Sequence, residues 1–285
     1  MTELFIGLDI GGTKFTVAAA NAKGEIISRL REKTPLDLEA GLELLNHMIA
    51  KLLGTGSPQA IGAAIGGPLE WPEGIVSPLH QPQWRQLPLK RLMEERWQCP
   101  FEMDVDTNVA ALAEYEEDKT HPARLLYITI STGMGQGLCL DGELYRGGLD
   151  HTHPEIGHQK IMVGAEPVPC DCGAFNCLSA FVCGSGIEKL YGKKAEQLND
   201  GQWEEVTNRL GLGLANATLF YAPDIIALGG GVVMGRGEKI LARLNQIVKK
   251  EVKIIRPPPI RFSICGQDAP LLGAICLARR TIGEH

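Results

Sequence analysis

Two stretches of this chain combine backbone freedom with groups able to meet a phosphate. Leu4 to Leu8 runs into Asp9-Ile10-Gly11-Gly12-Thr13-Lys14, and Leu125 to Ile130 runs into Ser131-Thr132-Gly133-Met134-Gly135-Gln136-Gly137. Each copy is a β-rich apolar segment, a glycine-rich turn, a second apolar segment (Phe15 to Ala20; Leu138 to Leu140) and a polar turn (Asn21-Ala22-Lys23-Gly24; Asp141-Gly142-Glu143). Glycine turns let backbone N–H groups approach phosphate oxygens, while a nearby Thr, Lys or acid can meet those oxygens or a magnesium ion. Either loop alone also reads as a β-hairpin whose glycines supply positive φ. The duplication points to two similar half-molecules with a ligand cleft between them. Neither loop has the Walker spacing, and no G-x-G-x-x-G opens a helix after the first strand, which argues against a P-loop enzyme and a dinucleotide fold.

Three further stretches carry chemistry. Asp104-Val105-Asp106-Thr107-Asn108 precedes the helix-forming run Val109 to Glu114, so Asp106 or Thr107 is expected to cap a helix, a role worth about 1 kcal/mol. A carboxylate at the start of a helix near a phosphate site can also take the proton of an attacking hydroxyl. Cys170, Cys172 and Cys177 form C-x-C-x4-C in a Gly/Asn-rich loop, with His158 upstream. Three thiolates and an imidazole complete a tetrahedral zinc site with no open position, so such a metal would be structural. The plain alternative is three unrelated buried cysteines. The other five, Cys99, Cys139, Cys183, Cys265 and Cys276, sit in apolar settings and read as core or surface residues. Pro223 to Leu228 reads as a buried strand running into Gly229-Gly230-Gly231, a turn flat enough to lie under an adenine or ribose.

The elements that must position these groups fit a chain of 285 residues, 44% apolar and 22% charged, long enough for two domains with real cores. A net charge of −6 without a Lys/Arg run argues against nucleic acid as a partner. No apolar run is long enough to span a membrane, and the start lacks a signal-peptide pattern, so a cytoplasmic protein with reduced cysteines is expected. Periodicity predicts strands at 4–9, 14–20, 25–31, 60–65 and 101–104 with helices at 37–53, 88–97 and 108–117, then strands at 125–130, 137–140, 159–163, 224–228 and 260–265 with helices at 179–191, 203–221, 237–252 and 270–281. The reading is α/β, with a hinge near 107–120.

Together these stretches resemble the ROK family (repressors, open reading frames and sugar kinases) of the actin-like ATPase superfamily, over nearly the whole chain. Asp9-x-Gly11-Gly12-Thr13-Lys14 is similar to its first phosphate motif, Thr132-Gly133-Met134-Gly135 to its second, and Leu228-Gly229-Gly230-Gly231 to its adenosine motif. Asp106, two residues before Asn108, falls at the catalytic aspartate, Glu155-x-Gly157-His158 at the segment that binds sugar and zinc, and Cys170, Cys172 and Cys177 at the zinc cysteines. The resemblance implies two ribonuclease-H-like domains around a central cleft: a small one of 1–112 plus 270–285, and a larger one of 113–269 carrying the zinc loop. It also implies ATP with Mg2+, structural Zn2+, a sugar substrate and a homodimer. Asp106 would deprotonate the 6-hydroxyl of a hexose; Asp9, Thr13 and Lys14 would lie near the metal and phosphates, and Gly133 near the transferred group. Gly67, Glu155 and His158 would touch the sugar, His158 using its second ring nitrogen.

Departures from the family pattern cluster on the sugar. Val105 stands where Asn precedes the catalytic Asp, Ser179 where a Glu follows the last zinc Cys, Gly66-Gly67-Pro68 where Pro-Gly-Pro is usual, and Pro154 where Gly is usual before Glu155. His153-Pro154-Glu155 and the non-Asn residue at 105 resemble the fructokinase branch more than the glucokinases, although that branch keeps the Glu that is Ser179 here. The expected activity is therefore hexose phosphorylation, fructose ahead of glucose, with a glucokinase or an N-acetylmannosamine-type kinase as alternatives. Two other classes are a repressor, disfavoured because only eight residues precede Asp9, and a catalytically weakened sugar sensor, disfavoured by the intact Asp106 and both phosphate loops.

Overall fold

The computed structural model describes residues 3–148, 153–161 and 166–283. The chain divides into two units, Met1–Glu116 with Arg146–His153 and Asp268–His285, and Glu117–Tyr145 with Pro154–Gln267. The first begins β1 (Leu4–Ile10), β2 (Lys14–Ala20), β3 (Ile26–Lys33), α1 (Leu38–Leu53) and β4 (Pro58–Ile65). Short strands β5 (Leu69–Glu70), β6 (Ile75–Val76) and β7 (Leu87–Pro88) form their own small sheet before α2 (Leu89–Trp97), β8 (Phe101–Val105) and α3 (Asp106–Glu117). The main sheet has the order β3-β2-β1-β4-β8. β1 pairs antiparallel with β2 and parallel with β4, and β4 pairs parallel with β8. Strands covered on both faces need continuous apolar runs, and Phe5, Ile6, Leu8 and Ile10 are all buried. The edge strand β3 carries Arg29, Arg31, Glu32 and Lys33 to solvent, which discourages pairing with another chain.

The second unit repeats the plan. It contains β9 (Arg124–Ile130), β10 (Met134–Leu140), β11 (Glu143–Leu144), α4 (Ser179–Val182), α5 (Gly184–Tyr191), α6 (Asp200–Tyr221), β12 (Ile225–Gly229), α7 (Gly231–Met234), α8 (Glu238–Glu251) and β13 (Ile260–Phe262). Its sheet order is β11-β10-β9-β12-β13, with the same alternation of antiparallel and parallel pairs. Asp141 and Gly142 both have positive φ, 49° and 86°, as a two-residue turn between twisted strands requires. The core gathers Leu126, Ile128, Leu178, Phe181, Leu210, Leu214 and Leu244.

The last helix, α9 (Ala269–Thr281), returns to the first unit and packs on β1, β4 and β8. Its approach is set by glycine. Gly7 and Gly62 are paired across β1 and β4; a Cβ on Gly62 would lie 1.8 Å from the Ala274 carbonyl oxygen, and one on Gly7 would lie 2.6 Å from Ile275 Cγ1. On the helix itself a Cβ at Gly273 would lie 1.8 Å from the Val109 carbonyl oxygen of α3.

Five sequence expectations need correction. Residues 179–191 are not one helix: Cys183 is extended (φ −83°, ψ 164°), separating α4 from α5, and its Sγ accepts the Gly186 N–H as a cap. A strand at 159–163 is not formed over its described part; Lys160 makes a single bridge to Cys177, and residues 162 and 163 lie outside the described residues. The 203–221 helix starts earlier, at Asp200, because Asn199 and Gln202 exchange side-chain-to-backbone hydrogen bonds as a capping box. The 237–252 segment is preceded by the separate short helix α7, and β13 stops at Phe262.

The close contact makes a testable prediction. Gly62→Ala should cost about 2–3 kcal/mol or more, because backbone atoms of α9 cannot yield to the new methyl. Gly201→Ala, on the exposed start of α6 with only Asn199 Oδ1 nearby at 3.5 Å, should be neutral or stabilising by up to about 1 kcal/mol. Urea unfolding of both variants measures the contrast; equal effects would mean that α9 shifts to make room.

Candidate functional site

The parallel strands of the first unit bring their C-terminal ends to one edge. Ile10 pairs with Ile65, and Ile65 with Val105, so the residues around these three strand ends, Asp9, Gly67, Val105 and Asp106, gather there. A Cβ on Gly67 would be 3.6 Å from Val105 Cγ2. The first loop is braced rather than free: the Gly11 N–H donates to the Lys14 carbonyl (3.1 Å), the Thr34 N–H to the Thr13 carbonyl (3.1 Å), and the Thr34 hydroxyl to the Gly11 carbonyl (2.7 Å). Neither Gly11 nor Gly12 takes a left-handed φ. Gly12 is needed for space, since a Cβ there would meet His80 Cβ at 2.8 Å. Lys14 and Thr13 are exposed at the loop.

Asp106 is the first residue of α3 and its Oδ1 accepts the Thr107 N–H (2.8 Å), so it stands within the first turn rather than outside it as a cap. Burial, and then the negative charge of Asp106, push Asp9 up to about 6, against the opposing effect of Lys14 and Arg31. Two carboxylates therefore face each other electrostatically, one of them poorly solvated. Such a pair favours a hard cation, and oxygen donors suit magnesium. The neighbouring Asp104 is buried; its Oδ1 accepts the Val105 N–H (2.7 Å) and the Asn108 side-chain amide (2.9 Å), and its Oδ2 accepts Arg146 Nε (2.6 Å).

In the second unit the second glycine loop is tied to α5. The Ser131 N–H donates to the Gly133 carbonyl (2.8 Å), and the Gly184 and Ser185 N–H groups donate to the Ser131 and Thr132 carbonyls (2.7 and 3.0 Å). This is the physical reason for the break at Cys183: the freed first turn of α5 donates to the loop. Ser131, Thr132, Gly184, Ser185, Gly231 and Val232 line one cavity of about 490 Å³, closed by Lys194, Glu196, Trp203 and Arg236. The Arg236 guanidinium lies 4.9 Å over the Trp203 ring. Of the triple glycine only Gly231 reaches this cavity. Gly229 and Gly230 are packing positions, where a Cβ would meet the Tyr127 hydroxyl at 2.5 Å and the Ile130 carbonyl oxygen at 2.2 Å; Gly230 also has φ 91°. Gly133 and Gly135 lie on the loop and on β10, both without left-handed φ and neither lining the cavity. Trp203, Arg236 and Lys194 carry no local motif, so sequence reasoning did not single them out.

His158, Cys170, Cys172 and Cys177 come together with their ligand atoms all within 4.8 Å of one another. His158 Nδ1 is 3.6 Å from Cys170 Sγ, and Cys172 Sγ is 3.7 Å from Cys177 Sγ. Sulfurs bound to one tetrahedral zinc at 2.3 Å are about 3.8 Å apart, so the donor set fits that ion. Gly173 (φ 84°) and Asn176 (φ 58°) turn the loop, and Asn176 Oδ1 accepts the Val168 N–H (2.9 Å). The Ala174 amide holds the Cys172 thiol below its ordinary value, while burial pushes Cys170 up to about 11. Lys160 Nζ donates to Cys177 Sγ (3.0 Å). Glu155 is exposed just before the 3-10 turn Ile156–His158. Ser179 is buried, with its hydroxyl 3.4 Å from Cys183 Sγ.

Comparison with known proteins identifies the family and the fold. The ROK family matches residues 5–281. The chain is 28% identical over 301 residues to a putative fructokinase of Bacillus subtilis (strain 168), covering 97% of this chain and 95% of that one. It is 24% identical over 318 residues to a glucokinase of Halalkalibacterium halodurans, with the same coverage of 97% and 95%. It superposes on the solved ROK hexokinase from Thermus thermophilus with a TM-score of 0.88 and 27% identity, over 99% of this chain and 100% of that one. Paired carboxylates at a glycine loop, a second loop lining a cavity and a His/Cys cluster thus sit on a shared fold, and the chain belongs to the ROK family, with the actin-like ATPase fold of its sugar kinases.

Proposed function

We propose that this chain is an ATP-dependent hexose kinase that transfers the γ-phosphate of ATP to a 6-hydroxyl, with fructose as the leading substrate. The observation that carries the reading is Asp106 on the first turn of α3 with Asp9, its pKa raised, and a braced glycine loop at the same sheet edge. In this reading the Asp106 carboxylate takes the proton of the attacking hydroxyl, and Asp9, Thr13 and Lys14 serve the phosphates. Asp9 would help to hold a magnesium ion arriving with ATP, which would supply neutralisation of the phosphate charge. The cavity formed by Ser131, Thr132, Gly231, Trp203 and Arg236 holds the nucleoside. Fructose is favoured over glucose because Val105 offers no hydrogen bond and the Ser179 hydroxyl is already engaged with Cys183, so two polar contacts for glucose are missing. A glucokinase or an N-acylamino-sugar kinase is the alternative, and ADP release measured over a panel of hexoses, amino sugars and polyols decides among them.

Zinc fits the His158, Cys170, Cys172 and Cys177 set, where it would hold the loop and orient His158. With Nδ1 turned to the thiols, the other ring nitrogen of His158 is the one that would serve a sugar hydroxyl.

Asp106→Asn should lower kcat by about 10²–10⁴-fold while nucleotide affinity stays nearly constant, since the amide keeps the size but cannot accept the proton. A variant keeping more than about a tenth of the wild-type kcat would place the base elsewhere. Metal analysis should find about one zinc per chain, from the four-ligand requirement, and Cys172→Ser should lose both the zinc and sugar affinity; unchanged KM in the zinc-free protein removes His158 from the sugar site. Asp9 gives the third prediction. Its folded pKa of about 6 exceeds the ordinary 3.8, so the folded state holds the extra proton between these values and stability falls as pH rises through that window. Asp9→Asn should therefore stabilise the metal-free protein above pH 6, by up to about 3 kcal/mol, and abolish turnover. Denaturation of both proteins at pH 4.5 and 7.5 checks it: a difference that does not grow with pH rules out the strain.

A further inference from the structure

Arg146 opens a short segment, Arg146–His153, that belongs to the first unit although the residues before and after it belong to the second. Its side chain is 18% exposed and its Nε donates to the Oδ2 of Asp104, which is 2% exposed, at 2.6 Å. The guanidinium stacks 4.3 Å from the centre of the Trp71 ring. Trp71 is itself held, its Nε1 donating to Glu102 Oε1 (3.3 Å), while Lys90 Nζ donates to Glu102 Oε2 (3.1 Å).

The partners of Asp104 show what this pinned arginine does. One carboxylate oxygen, Oδ1, accepts both the Val105 N–H and the Asn108 side-chain amide, so it grips the residue before Asp106 and the residue two after it. Two further side-chain oxygens there, Asn108 Oδ1 and Thr107 Oγ1, are buried with no hydrogen-bond partner, while Asp106 Oδ1 accepts the Thr107 N–H within its own turn. The direction of the first turn of α3 is thus fixed largely through Asp104, and Asp104 is a buried anion close in sequence to two other carboxylates, Glu102 and Asp106. Leaving a buried carboxylate without its cationic partner is costly, and the pairing fixes its orientation. Arg146 is that cation.

We infer that Arg146 is a positioning residue for phosphoryl transfer: by pairing with Asp104 and fixing its orientation, it sets the place of the Asp106 carboxylate. The inference rests on the kinase reading for its kinetic consequence but not for its structural one. Arg146 touches no reacting atom in this scheme and neither lines the cavity given to the nucleoside nor belongs to the first glycine loop, so its effect belongs to kcat rather than to nucleotide binding.

Two measurements test it. Amide hydrogen exchange of the ligand-free protein should show that Arg146→Met exposes the Val105 and Thr107 amides, with at least tenfold faster exchange than wild type. In steady-state kinetics Arg146→Met should lower kcat at least tenfold with the KM for ATP within about twofold, a range expected for a misaligned catalytic group. Arg146→Lys should recover part of the loss. Arg146→Met/Asp104→Asn should recover more than Arg146→Met alone, because the Asn carbonyl still accepts both hydrogen bonds without a charge to balance; Arg146→Met/Asp104→Ala should not. Should Arg146→Met fold poorly, the Lys variant and the Asn double variant carry the comparison. Unchanged amide protection overturns the inference whether or not the protein proves to be a kinase. An active wild type whose Arg146→Met variant keeps its kcat, or whose Asn double variant is no better than the single one, overturns it while leaving the kinase reading intact.

Discussion

Backbone against backbone is the constraint on which the first unit depends. α9 lies so close to β1, β4 and α3 that no side chain fits at Gly7, Gly62 or Gly273. That closeness covers the sheet face behind the strand ends where Asp9, Gly67 and Asp106 gather. A looser contact sealed by larger side chains would still bury apolar area, but it would let β1 and β8 move against each other. Two carboxylates that repel need a rigid support, because relaxation would let them separate or take up a proton. Glycine here supplies rigidity through proximity rather than flexibility.

The same strand order serves different chemistry in the two units. Both place an antiparallel hairpin beside two parallel strands, and both put a glycine loop at the first turn. In the first unit the strand ends carry acids, and the loop is braced by Thr34 from β3's trailing end. In the second unit β11 has only two residues, and the loop is braced instead by the N–H groups of α5. The cavity beside it is walled by α6 through Trp203 and by Arg236 beyond α7. The two units share a glycine loop at a strand end but hold it by different partners, and the surrounding residues form an acidic edge in one and a cavity of about 490 Å³ in the other.

What was legible in the sequence follows from how local each signal is. The duplicated loops, the apolar strands and the His/Cys set were legible because residue type and short spacing carry them. The break at Cys183 was not, because its cause is a pair of carbonyls at Ser131 and Thr132, about 50 residues earlier. The strand expected at 159–163 failed for a similar reason: Lys160 spends its backbone on a single bridge to Cys177 and its amine on Cys177 Sγ and the Phe175 carbonyl, so the segment serves the cysteine loop rather than a sheet. The alternative hairpin reading put positive φ at the loop glycines; Gly11, Gly12, Gly133 and Gly135 do not have it, whereas Gly142, Gly173 and Gly230 do. Trp203, Arg236 and Arg146 act through partners distant in sequence, which one sequence does not display.

The charges around α3 show how a cluster of acids can be both unfavourable and stable. Burial and the charge of Asp106 raise the pKa of Asp9, which costs folding free energy once Asp9 is ionised. Asp104, by contrast, is compensated fully, with Arg146 on one oxygen and two N–H donors on the other. The two treatments are complementary. A group that must bind a ligand's charge gains from being unsatisfied until the ligand arrives, whereas a group that only holds others in place must be satisfied at all times, since its own relaxation would undo the strain next to it. With Arg146 on Asp104 and Lys90 on Glu102, both acids of β8 are balanced by a cation, so neither adds an unpaired charge to the pair at Asp9 and Asp106.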